Sequence, residues 1–123
     1  MNNIPGLTVQ RTTPQIELHA QLMGILDVDP STNCLVVRFQ VGHIDESGAI
    51  TDVDHLTDVA WPVGSTVAIR DDKPALIDPT GQTVAHVGDE ISVGGGWIPT
   101  TTADVESCTG QDHVFMGHHP QRL

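Results

Sequence analysis

Aromatic residues are scarce in this chain, which has Trp61, Trp97, Phe39 and Phe115 and no tyrosine. A core built mainly on stacked rings is excluded, and a row of aromatics for stacking single-stranded nucleic acid has little to draw on. Basic residues are few as well: five Lys and Arg stand against sixteen Asp and Glu, a formal charge of −11 at pH 7. They are scattered at Arg11, Arg38, Arg70, Lys73 and Arg122, so no local patch forms. A surface of that sign repels phosphate backbones and anionic headgroups, and no nucleic-acid partner is expected.

Long apolar runs are also missing. No stretch approaches the ~20 residues of a membrane-spanning helix, so membrane insertion is not expected. The opening Met1-Asn2-Asn3-Ile4-Pro5 lacks a basic region followed by an apolar one. A cytoplasmic location is therefore expected, or a secreted one if a leader was removed. No G-x-S-x-G elbow, phosphate loop or zinc spacing is present, and no catalytic residue is assigned.

What the chain does contain reads as β structure. Its apolar residues are mostly Val, Ile and Leu, and β-branched side chains suit a pleated surface. At 123 residues it is one domain's length, enough to remove roughly 65% of the unfolded surface from water. Ile16, Leu18, Ala20 and Leu22 alternate with Glu17, His19 and Gln21, a period of two that continues to Leu26 with a bend expected at Gly24. Asp27 to Asn33 is a turn, and Cys34 to Val41 its return strand. Asp45-Glu46-Ser47-Gly48 is a second turn, followed by a short, weak strand from Ala49 to Val53. The acidic stretch Thr51 to Asp58 has no clear period and reads as a loop or a helical turn. Strands follow at Ser65–Ile69, Ala75–Ile77, Gln82–Val87, Glu90–Val93 and His113–Gly117, with Asp78-Pro79-Thr80-Gly81 a tight reverse turn. Such spacing points to a sandwich or barrel with little helix.

Four features bear on chemistry. Gly94-Gly95-Gly96 leads into Trp97-Ile98-Pro99, which opens no helix and offers no lysine, so it is read as a strand end or barrel kink. Asp27-x-Asp29-x-Ser31-x-Asn33 copies the start of a calcium loop, but Thr32 stands at the glycine position and Arg38 at the glutamate position. His113, His118 and His119 would ligate a transition metal, zinc being the alternative to no cofactor at all, if the tail folded back. Cys34 and Cys108 are the only cysteines, either a disulfide closing a long loop or two thiols in a reducing compartment.

The middle of the chain resembles a small domain that recurs in uncharacterised actinobacterial proteins, some of them predicted lipoproteins. The resemblance rests on Cys34-Leu35, Trp61-Pro62-Val63-Gly64, Asp78-Pro79-Thr80-Gly81 and Val87-Gly88-Asp89-Glu90-Ile91 running into Gly94-Gly95-Gly96 and Ile98-Pro99. It covers about residues 22 to 99, departs at Gly42–Asp58 and at the histidine tail, implies an OB-like barrel and supplies no activity. The expected organisation is an extended arm at 1–15, an all-β, five- to seven-stranded antiparallel OB-like barrel at 16–117, and a tail at 118–123 with irregular termini. The expected role is a binding or accessory module that meets a protein partner or a second copy. The contact would use a sheet face, an edge strand or the arm, whose Ile4, Leu7 and Val9 would be odd if permanently solvated.

Overall fold

The computed structural model describes residues 4–12 and 18–123. In chain order its strands are β1 (Thr8–Val9), β2 (Ala20–Asp29), β3 (Cys34–Ile44), β4 (Ile50–Trp61), β5 (Thr66–Arg70), β6 (Lys73–Ile77), β7 (Thr83–His86), β8 (Glu90–Pro99) and β9 (His113–Arg122). The helical content among the described residues is one turn, α1 (Thr100–Ala103). The all-β reading holds. Ile16, where the period-two pattern begins, lies outside the described residues.

Five strands close into a ring in the order β2, β3, β4, β9, β8. The first three form an antiparallel meander, and β9 returns between β8 and β4 in the manner of an OB-like barrel. Within the ring the wholly antiparallel expectation fails at one place, for a reason of parity. Directions cannot alternate around a ring of five, so β4 and β9 run parallel. The strand count is also higher than expected, because β5, β6 and β7 form a separate three-stranded sheet inserted between β4 and β8.

The core follows from the period of two. Leu35 and Val37, Val59 and Trp61, and Ile91 and Val93 alternate inward and meet Leu22, Leu26 and Phe115, while Leu76 and Ala85 join from the small sheet. Each such side chain taken fully from water contributes about 1.5–3 kcal/mol before entropy is counted. Two glycines make the curvature possible. At Gly24, where β2 passes from β8 to β3, a Cβ would sit 2.5 Å from the Arg38 carbonyl oxygen. At Gly95, with φ 144°, a Cβ would sit 1.8 Å from the Met116 carbonyl oxygen, so β9 can approach only glycine here. The triple glycine is thus a kink inside β8.

The N-terminal segment is built into the barrel wall, contrary to the loose arm expected. Gly6 N donates to Asn33 O at 3.0 Å, and Leu35 N donates to Gly6 O at 2.8 Å. Thr8 and Val9 then pair in parallel with Ala60 and Trp61. The segment therefore wedges between the start of β3 and the end of β4, where those strands diverge. The C-terminal residues are ordered into the sheet as well: β9 runs to Arg122, and Leu123 N donates to Glu90 O at 2.9 Å.

Candidate functional site: an open strand edge on a projecting ribbon

β3 and β4 are the longest strands, and their outer halves leave the barrel together as a two-stranded ribbon. The ladder continues without a break from Val36↔Asp58 to Ile44↔Ile50. β2 stops pairing with β3 at Arg38, because beyond Ile25 it pairs with β8 instead. The edge of β3 from Phe39 to Ile44 consequently has no strand partner among the described residues.

The two ribbon edges differ in how they are protected. At the foot of β4, below the ribbon, Gln111 donates from Nε2 to Leu56 O (3.3 Å) and accepts from Asp58 N (3.4 Å), while Ile50–His55 has only β3 as a strand partner among the described residues. Asp52 and Asp54 add charge to the same strand, a common guard against unwanted pairing. The β3 edge, Phe39-Gln40-Val41-Gly42-His43-Ile44, has no charge and no proline. One ribbon face stacks Phe39 on His55 (5.7 Å between ring centres) and His55 near His43 (6.3 Å), with Val41 opposite Val53 between them. At the far end Ile44 and Ile50 are about three-quarters exposed, at 75% and 73%. An edge of this kind can accept an added strand through its backbone groups, with alternate side chains supplying selectivity.

At the base of the ribbon lies Asp58, wholly buried. Thr8 Oγ1 donates to it, Ser107 Oγ makes a short bond to Oδ2, and Thr109 Oγ1 lies 3.4 Å from the same oxygen. Cys108 N in turn donates to Thr8 Oγ1 at 2.8 Å, and Cys108 forms a disulfide with Cys34. Burial pushes the Asp58 carboxyl above its ordinary value, while the hydroxyls around it pull the other way. These contacts join the N-terminal segment, the base of β3, β4 and the 105–111 loop. Their donors are directed at one another, leaving Asp58 as a tie.

The residues singled out from the sequence fall in different places. Cys34 and Cys108 come together as the disulfide, which removes Cys108 from any thiolate ligand set. His118 and His119 meet edge to face at 5.3 Å, and His118 Nε2 lies 3.1 Å from Leu18 O. His113 stands five residues earlier on the same strand, roughly 16 Å away at the usual rise. Among the described residues no three His, Cys, Asp or Glu side chains converge as a metal site. Leu7 packs on the core and Val9 pairs with Trp61, so both are engaged within the chain, while Ile4 is exposed. Sequence reasoning missed the β3 edge as a site. Its one local signal is the uncharged six-residue run in a strongly acidic chain.

No protein-family model, curated protein or solved structure matches the chain. No helix among the described residues is long and apolar enough to cross a membrane.

Proposed function

We propose that this protein is a non-catalytic binding module that takes an extended segment of a partner protein onto the β3 edge, Phe39–Ile44. The observation that carries this is the asymmetry of charge on the ribbon: β4 carries Asp52 and Asp54, while the β3 edge is uncharged and has no second strand partner among the described residues. The partner segment is apolar with basic residues, because Asp45, Glu46, Asp52 and Asp54 surround the ribbon on a chain of net charge −11. The Cys34–Cys108 disulfide supports work in an oxidising, extracytoplasmic compartment, the secreted alternative to the cytoplasmic location expected from the opening residues.

The test uses a photo-reactive amino acid at Gln40 on the open edge and, as a control, at Thr66 on the small sheet. Cross-linking is done in the protein's own cells, with and without Val41→Lys/Ile44→Lys. Capture of one partner at position 40 that is lost in the lysine variant supports the reading. Equal capture at both positions, or capture indifferent to the lysines, contradicts it.

A further inference from the structure

Phe39–Ile44 presents two different faces to anything that pairs with it. Side chains alternate along a strand, so Phe39, Val41 and His43 share one face with their β4 partners His55, Val53 and Thr51. Gln40, Gly42 and Ile44 share the other with Asp54, Asp52 and Ile50. The backbone groups of this segment that turn away from β4 have no hydrogen-bond partner among the described residues. A strand added there meets both faces at once.

The first face is mainly apolar and holds no acid. Its imidazoles, His43 and His55, repel a cation whenever they are protonated. The second face is acidic, and its two carboxylates are not equivalent. Asp54 is shared with the protein's own cation: Arg38, at the foot of the same face, bonds Asp27 at 2.9 Å and lies 4.0 Å from Asp54. At the tip, Asp45 is occupied by the Ser47 hydroxyl (2.6 Å) and the Ala49 amide (3.0 Å). Asp52 enters no ion pair among the described residues.

Gly42 opens the way to Asp52. Its φ is not positive, so the backbone itself does not call for glycine here. A Cβ built on it would lie 3.8 Å from Asp52 Oδ1 and 3.6 Å from Ile50 Cγ2, so the carboxylate leans over the glycine toward the open edge. Neighbouring strands lie about 4.8 Å apart, which sets the Cα of an added residue beside Gly42 about 10 Å from that of Asp52. A lysine or arginine there, extended over Gly42, meets the carboxylate across that distance.

We propose that the partner segment alternates, with apolar side chains beside Phe39, Val41 and His43 and a lysine or arginine beside Gly42 that pairs with Asp52. This rests on the reading of Phe39–Ile44 as the docking edge, and adds to it the residue pattern of the occupant. A base on the apolar face does not fit, because that face has no acid to receive it.

Three capped peptides, titrated into ¹⁵N-labelled protein and followed by NMR, test the pattern. The first reads Thr-Val-Thr-Val-Lys-Val-Thr-Val, the second has glutamine in place of the lysine, and the third exchanges the lysine with the valine after it. The first is expected to give saturable shifts over Phe39–Ile44. It should bind about threefold more tightly than the second, the worth of one exposed ion pair, and roughly tenfold more tightly than the third, which lays its charge on the apolar face. Asp52→Asn should remove the difference between lysine and glutamine. So should Gly42→Val, which fits without a clash and screens the carboxylate from the edge. Saturable edge shifts with equal binding of the three peptides, or a lysine preference that survives either variant, would overturn the proposal and leave the docking edge standing. Absence of shifts at Phe39–Ile44 with every peptide would overturn both.

Discussion

Thr8 Oγ1 lies 2.9 and 2.8 Å from the two carboxylate oxygens of Asp58, across fifty positions of sequence. The same oxygen accepts from Cys108 N. Thr8→Val keeps the shape and β-branching but removes both bonds, leaving a buried amide without an acceptor and a buried carboxylate short of one donor. A loss of about 1–3 kcal/mol is expected in urea denaturation. A loss within ~0.5 kcal/mol would mean that the tie does not hold the N-terminal segment.

Asp58 also sets a pH dependence whose sign can be worked out. Its folded carboxyl is raised above 3.8 by burial, so its favourable contribution is complete below the unfolded value and is lost as pH rises through the folded one. The wild type should therefore gain stability relative to Asp58→Asn on going from pH 7 toward pH 4. The turn residues Asp29, Asp45 and Asp78 act in the opposite sense. The hydroxyls of Ser31, Ser47 and Thr80 lower their carboxyls, so that contribution holds above 3.8 and fades as pH falls through the depressed values. Parallel denaturation of the two proteins at both pH values checks this, and a constant or shrinking difference contradicts the assignment.

The disulfide closes a span of 74 positions, for which the chain-entropy model gives about 4 kcal/mol. Cys34→Ser/Cys108→Ser, or the wild type in a reductant, should lose stability on that scale. Maleimide labelling of the denatured, unreduced protein should find no free thiol. Two labelled cysteines would remove both the staple and the support for an oxidising compartment.

Much of the fold was legible because its signals are local. Asp78-Pro79-Thr80-Gly81 closes as read, with Gly81 N donating to Asp78 O at 3.0 Å, since proline and glycine fix that turn without help from elsewhere. A strand segment buried on both faces, such as Cys34–Val37, shows as a continuous apolar run. β4 was mistaken for a weak strand and a loop because its outer half projects into solvent on both faces, and Asp52, Asp54 and His55 leave no apolar alternation to see. β9 was cut short at Gly117 because His118-His119-Pro120 reads as a tail. Its pairing comes from β8, opposite glycines that let it approach. The wedge made by Gly6–Gln10 depends on partners at Asn33, Leu35, Asp58, Ala60 and Trp61, none of which leaves a local trace. The openness of the β3 edge was hidden for a related reason. It depends on where β2 turns away, a relation between strands that the six residues themselves do not encode.

Amide hydrogen exchange of the protein, free and bound to the partner captured at position 40, tests the proposed interaction most directly. The account predicts slower exchange confined to Phe39–Ile44 on binding, with β4 from Ile50 to His55 little changed. Protection over β4 or over Gly6–Gln10, with Phe39–Ile44 unaltered, would contradict it.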